Sequence, residues 1–253
     1  MVIWRERKTV LALAWKFLRD KYQGTFLGIL WALITPALLG LVISFIFTRI
    51  ARMDLPRFPL FVISGLFPWM YFSLTLQESC SSLLDSSSLV HSFGISLPLI
   101  PFSRSLANFL NFLLGFFLFY PFFIYFRPPV LLLLPLLLGV LFLFFLLTTG
   151  IGFLLAWSNV FYRDVVHLIS LLLLFWFWIT PVFYPLSLIP VPYRNWLFLN
   201  PLTPFMLSFQ ALLYEGKLPS LLIIFLLTLY TLIFYSLGRI TFSRKLKELK
   251  KRI

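Results

Sequence analysis

The sequence predicts an all-α integral membrane protein: six transmembrane helices, an amphipathic interface helix before the first span, and two short re-entrant helices before the sixth. Three observations predict it. Of 253 residues, 61% are hydrophobic and 11% charged, and the mean hydropathy is +0.99, which no soluble fold requires. Apolar runs of about 20 residues, the length a helix needs to cross a hydrocarbon core of about 30 Å, recur along the chain. Basic residues crowd both ends: Arg5, Arg7, Lys8, Lys16, Arg19 and Lys21 precede the first run, while Arg239, Arg244, Lys245, Lys247, Lys250, Lys251 and Arg252 follow the last. An even number of spans with basic flanks at both ends predicts that both termini are cytoplasmic.

The net charge of +13 therefore reports topology first and an anionic partner second. One domain, residues 1–253, accounts for the length. Cys80, the single cysteine, has no partner for an internal disulfide and reads as a small filler residue. No small-residue cleavage site follows a short apolar core, so no cleavable signal is expected.

Trp4 to Tyr22 reads as the interface helix. At about 100° per residue, Trp4, Val10, Leu11, Ala14, Trp15, Phe17, Leu18 and Tyr22 share a broad face opposite Arg5, Glu6, Lys8, Lys16, Arg19 and Asp20. Such a helix lies in the interface plane of a membrane. Arg7 and Lys21 break the pattern, as long basic side chains do when they snorkel. The spans follow at residues 26–47, 60–76, 106–126, 130–157, 165–184 and 218–237. Gly24 and Gly28, at small-xxx-small spacing, would let a neighbouring helix approach the start of the first. Pro36 sits inside that span, where a kink is tolerable if neighbours satisfy the freed carbonyl. Asn108 and Asn111, three apart near the start of the third, predict interhelical hydrogen bonds.

Alternation then places residues 48–59, 127–129 and 185–217 outside, and 77–105 and 158–164 in the cytoplasm. The outer loop holding Arg49, Arg52 and Arg57 carries more positive charge than either inner connection, against the usual bias. It is either a solvated loop or a site for phosphate or acidic sugar. In the inner loop, residues 81–103, Asp85 or a following serine would cap a short helix through Leu89, Val90, His91 and Phe93, stopped by Gly94. Leu89 and Phe93, four apart, would form an apolar knob for a soluble partner, or the helix would fold back on its own bundle.

Residues 165–217 begin as a span and do not finish as one. Pro185, Pro190, Pro192, Pro201 and Pro204 cut the stretch after Tyr184 into pieces too short to cross, because proline lacks the amide donor and clashes with the preceding turn. Broken backbone at membrane depth is tolerated only where protein or a wet cavity covers it. Residues 185–217 thus read as two half-inserted helices over a pathway.

Catalytic chemistry finds no foothold in these residues. Gly216-Lys217-Leu218 lacks the remaining residues of a phosphate-binding loop, and His91 and His167 have no ligand at metal spacing. The span interiors hold no acid, whereas ion-coupled transporters keep ionisable groups there. The driving energy must come from another subunit, and no nucleic-acid or cofactor site is expected in this chain. Aromatic residues, 20% of the chain, are the larger signal. Trp69, Tyr71, Trp176, Trp178, Phe183, Tyr184, Tyr193 and Trp196 are either interface anchors or rings able to stack on the apolar faces of sugars.

The order of motifs resembles a known family. Arg19-Asp20-Lys21-Tyr22, Leu27-Gly28-Ile29-Leu30-Trp31, Gly65-Leu66-Phe67-Pro68-Trp69, Asn159-Val160-Phe161-Tyr162-Arg163-Asp164, Thr180-Pro181-Val182-Phe183-Tyr184 and Asn200-Pro201-Leu202-Thr203-Pro204 follow one another as in the membrane subunit of type-2 ABC polysaccharide exporters, the Wzm-type permeases for O antigens, capsules and teichoic acids. The resemblance implies a homodimer in the bacterial cytoplasmic membrane above two copies of a separate ATPase, which would hold ATP and magnesium. It implies that Asp85, Leu89, Val90, His91 and Phe93 couple to that ATPase, that the spans carrying Trp31 and Trp178 line the channel, and that Tyr193, Trp196, Asn200 and Pro201 belong to an outer gate. The implied substrate is an undecaprenyl-diphosphate-linked polysaccharide. The family often has a lysine and an aromatic-proline pair in the coupling loop, where this chain has His91 and Phe93-Gly94. The alternatives are a drug or small-molecule exporter of the same superfamily and a membrane-embedded glycan or acyl transferase. The transferase would need acids or histidines clustered at one membrane face.

Overall fold

The structure, a computed structural model, describes residues 5–252; Trp4, expected at the start of the interface helix, lies outside them. Every regular element among the described residues is helical: α1 (Arg7–Tyr22), α2 (Trp31–Phe45), α3 (Phe58–Asp85), α4 (Ser87–Phe93), α5 (Leu99–Phe126), α6 (Leu134–Phe161), α7 (Val165–Ile179), α8 (Val191–Leu197), α9 (Thr203–Phe209), α10 (Leu221–Arg244) and α11 (Leu246–Arg252). Among the described residues, five helical stretches are long and apolar enough to cross a membrane: Gly28–Ile50, which contains α2, and then α3, α5, α6 and α10.

α3 and α6 form the centre. α2, α5, α6 and α7 pack on α3, and α10 packs on α6. Phe72, Leu76, Phe144, Leu147, Phe205 and Phe209 are wholly buried between them. The peripheral helices are bare on their outer sides: Leu38, Leu41, Val42 and Phe45 on α2, and Leu221, Leu222, Phe225 and Leu232 on α10, are exposed. A soluble monomer does not carry an apolar belt of this extent, whereas lipid is its natural solvent. The chain is a multi-pass integral membrane protein.

The helix expected at residues 165–184 ends early. α7 has 15 residues, roughly 22 Å at about 1.5 Å per residue, short of the hydrocarbon core. Pro181 is the cause: it drives the residue before it out of the helical region, and Thr180 is extended at φ −89°, ψ 135°. The segment continues as broken backbone, with Thr180, Val182 and Phe183 buried inside the protein, the condition under which such backbone survives at depth.

The inner connection is also shorter than residues 81–103. α3 runs to Asp85 and α5 starts at Leu99, and serines along both helices are packing residues. Ser82 Oγ donates to the Ser79 carbonyl at 2.7 Å, and Ser79 and Ser105 lie 3.3 Å apart, hydroxyl to hydroxyl. A methyl on Gly152 of α6 would sit 3.0 Å from Ser79 Oγ. Small residues on three helices let the backbones converge there.

Gly24 and Gly28 do not mediate a helix crossing. Both adopt positive φ, 77° and 52°, before α2, with open space where a side chain would be, so they serve the turn leading into it. The tight crossing lies elsewhere, between α6 and α10, where a methyl on Gly238 would fall 2.1 Å from the Gly150 carbonyl oxygen.

Candidate functional site

At the α1 end of the bundle, α1 divides its apolar residues between two surroundings. Val10, Leu13, Ala14, Phe17 and Leu18 are buried against Leu99, Phe102, Leu106, Ala107 and Leu110 of α5. Leu11 and Trp15, expected on the same face, are exposed and free to meet lipid. Arg104 of α5 lies over the Phe17 ring at 3.9 Å, a cation–π contact.

Lys21 does not snorkel. Its ammonium donates to Asn108 Oδ1 at 2.7 Å and lies 3.3 Å from Glu78 Oε1, while Asn108 Nδ2 donates to Glu78 Oε2 at 2.9 Å. Beside this triad the Tyr22 hydroxyl donates to Asn111 Oδ1. Burial holds the Lys21 ammonium below its ordinary value even with Glu78 adjacent, and burial pushes the Tyr22 phenol up. The expected interhelical role of Asn108 and Asn111 is thus realised towards α1 and α3, and the ion pair tightens it. A cavity of about 460 Å³ opens beside them, with Lys21, Tyr22, Trp31, Asn108 and Asn111 on its polar side and Phe67, Met70 and Phe112 on its apolar side.

α4 sits next to this cluster. Neither Asp85 nor Ser86 caps it through a side chain; Asp85 accepts from Ser81 Oγ at 2.5 Å instead. Gly94, at φ 63°, ends the helix and donates its amide to the Val90 carbonyl at 3.0 Å. The expected knob is divided. Phe93 is 74% exposed, whereas Leu89 packs among the α1–α5 residues and Val90 against the cluster formed by Leu83, Leu97 and Phe153. His91 is exposed. Beyond α4, Ser96 Oγ donates to Glu6 Oε1 at 2.9 Å, and Ser103 Oγ to the Val10 carbonyl at 3.2 Å. α1, α4 and the start of α5 therefore form one packed unit.

At the opposite end, the two motifs rich in proline meet. Asn200 Oδ1 accepts from Trp176 Nε1 at 2.9 Å and from the Leu202 amide at 3.0 Å, and its Nδ2 donates to Thr180 Oγ1 at 2.9 Å. Buried Gln210 donates to the Pro181 carbonyl at 2.7 Å. The break after α7 thus has its freed polar groups satisfied by amides from the hairpin that follows. The Val182 backbone crosses α3 at Gly65, where a methyl would sit 2.1 Å from the Val182 oxygen. Pro201 is partly buried beside this knot, and Tyr193 and Trp196 of α8 are exposed. The Tyr230 hydroxyl of α10 donates to the Phe198 carbonyl at 2.5 Å.

The aromatic residues separate by burial. Trp69, Tyr71 and Phe183 belong to the packed core, and Tyr71 also borders the cavity beside Lys21. Trp176 is a structural donor to Asn200. Trp31 and Trp178 are exposed, and Tyr184, partly buried, donates its hydroxyl to the Trp178 carbonyl at 3.0 Å. α2 and α7, which carry Trp31 and Trp178, both pack on α3. Arg49, Arg52 and Arg57 are exposed. Arg57 is tied down: its Nη1 donates to the Phe126 carbonyl at 2.7 Å and its guanidinium lies 5.2 Å from the Phe126 ring centroid.

Lys21, Glu78, Gln210 and Gly65 acquire structural roles that no reading of the sequence assigned. Lys21 had left a signal, as the basic residue interrupting the apolar face of α1. Gln210, a lone amide in an apolar stretch after Asn200-Pro201, had left another.

Residues 8–214 match the family described as ABC-2 type transporter. Over 232 residues, 86% of this chain and 85% of the relative, the sequence is 33% identical to the O-antigen export system permease protein RfbA of Myxococcus xanthus. Over 207 residues, 80% of this chain and 79% of the relative, it is 29% identical to the protein of that name from Klebsiella pneumoniae.

Proposed function

The chain belongs to the ABC-2 type transporter family, and as such a transport subunit we propose that it is the permease of an ATP-driven exporter that moves a lipid-linked polysaccharide of the O-antigen class outward across the bacterial cytoplasmic membrane. One observation carries the reading: a relative named as an O-antigen export permease aligns with 86% of the chain at 33% identity, a stretch long enough to take in the spans and the hairpin together.

Two copies of the chain would face each other, with two ATPase subunits beneath. α4 would take the ATPase contact, presenting exposed Phe93 while Leu89 anchors it to α1. A shift of α4 would pass to α1 through Leu89 and the Ser96–Glu6 bond, and from α1 to α3 and α5 through Lys21, Glu78 and Asn108. The partner biases transport only as far as its nucleotide states hold α4 differently. Trp31 at the start of α2 and Trp178 at the end of α7 would border the path, with Leu41 on the adjoining side of α2 left towards lipid. The hairpin of residues 185–217 would close it on the far side, hinged at Asn200. Six crossings with both termini cytoplasmic suit this arrangement, the fifth made by α7 together with the covered segment after it.

The test is a strain lacking the gene, in which surface polysaccharide and the internal pool of polyprenyl-linked polymer are extracted and compared. Loss at the surface with accumulation inside is expected. Normal surface polymer without internal build-up would overturn the substrate assignment while leaving family membership intact.

A further inference from the structure

At the end of the bundle away from α1, a cleft of about 390 Å³ runs between α2, α3 and α5. Ala37 and Leu41 of α2, Leu60 and Ile63 of α3, and Phe119 and Phe123 of α5 form its walls. It is a consequence of how α2 is held. α2 is pinched against Gly115 of α5, where a methyl would lie 2.8 Å from the Ala32 carbonyl oxygen, and its own Gly40 sits on Ile63, where a methyl would lie 3.1 Å from Cγ1. With α2 fixed at these two contacts, the wide rings of α5 leave a gap that α2 cannot close. The gap opens sideways through exposed Leu41 and Phe122, onto the surface that faces lipid in a membrane protein.

Its rim is different in character. Arg57 is the only charged residue among those lining it. It holds a left-handed conformation, φ 54°, costly for a residue with a side chain, and its guanidinium is kept at the cleft by the Phe126 carbonyl and ring. One of its five N–H donors is engaged there, leaving the others for an acceptor. Arg57 precedes α3 and Phe126 ends α5, so this cation stands at the depth where lipid head groups lie, directly above an apolar slot.

We propose that this cleft is a binding site for one anionic glycerophospholipid of the leaflet opposite α1, with an acyl chain between α2 and α5 and the phosphate on Arg57. Charge complementarity selects the occupant. The guanidinium forks onto a phosphate, no carboxylate lines the cleft to attract a choline or ethanolamine, and an apolar slot facing lipid gains contact only when a chain fills it. The inference rests on membrane insertion alone and is independent of the export reading. The bound lipid would wedge α2 in place and set the angle at which it leaves α3.

Native mass spectrometry of the full chain, purified from membranes and titrated with phosphatidylglycerol or phosphatidylcholine, tests it. One retained phosphatidylglycerol per chain is expected, preferred about tenfold over phosphatidylcholine, which offers the same phosphate but brings a choline cation against the Arg57 guanidinium. Arg57→Gln should abolish the preference. Ala37→Phe, which fills the slot and leaves Arg57 untouched, should abolish retention itself, so a folding defect in one variant leaves the other informative. Equal retention of both lipids by the wild-type chain, unchanged retention in Ala37→Phe, a polyprenyl diphosphate in place of the phospholipid, or a second copy of the chain covering the cleft with no lipid retained would each overturn the assignment.

Discussion

The two ends of the bundle are held together by different chemistry. At the α1 end the helices are continuous, and what joins them is side chain to side chain: Lys21 to Glu78 and Asn108, Tyr22 to Asn111. At the other end the backbone is broken by proline, and what joins it is neutral amide to backbone or hydroxyl: Gln210 to Pro181, Asn200 to Leu202 and Thr180. The difference follows from what each end must satisfy. Within the body of a helix the carbonyls are already paired, so ties between such bodies can be charges that keep partial contact with water. A chain broken at depth exposes polar backbone that must be paired where water is scarce, and a neutral amide does this without the cost of a buried ion. The first kind of joint can re-form as elements shift; the second locks a single geometry.

Five substitutions press on that contrast. Gly65→Ala has the largest expected effect, since its methyl meets the Val182 backbone at 2.1 Å and backbone cannot step aside. A loss of about 3 kcal/mol or more is expected, read as aggregated material in size-exclusion chromatography; a monodisperse protein of wild-type thermal stability would show that the α7 segment is not locked onto α3. Asn200→Ala removes three hydrogen bonds and should cost about 2–3 kcal/mol, measured as a lower melting temperature in detergent.

Lys21→Met leaves Glu78 without its counter-charge. Both side chains keep about a quarter of their exposure, 23% and 26%, so the expected loss is about 2 kcal/mol, below that of a fully buried pair. Lys21→Met with Glu78→Gln should recover part of it, and failure of the double exchange to recover any would mean that the pair contributes nothing as a pair. Phe93→Asp should change stability least, by under about 0.5 kcal/mol at a side chain this exposed, while abolishing polymer export in vivo. Leu89→Asp should instead lower the melting temperature as well, because Leu89 is packed under α1. Equal stability of the two variants would return Leu89 to the exposed knob.

Much of the fold was legible in one dimension. The apolar runs, the amphipathic first helix, the short helix stopped at Gly94 and a proline break before the last span depend on length, period and proline, all local properties, although the break begins at Thr180 and not after Tyr184. The inner connection came out shorter than residues 81–103 because the extent of α3 and α5 is set by contacts such as Ser79 with Ser105, which only the neighbouring helix reveals. The aromatic residues were ambiguous for a related reason: a ring on an apolar helix can turn inward or outward without changing the pattern. Trp69 and Tyr71 went inward, Trp31 and Trp178 outward.

What the sequence determined by itself, then, is a multi-pass apolar chain with basic ends and a proline-broken stretch before the last span, because hydrophobic length and missing amide donors act on each segment in isolation. The tertiary structure alone decided that Lys21 pairs with Glu78 across a separation of more than fifty positions, that Gln210 closes the break behind Pro181, and that α2 stands off α5 at a cleft beneath Arg57. Each of these depends on the rotation and crossing of whole helices against one another, quantities set by packing between distant segments.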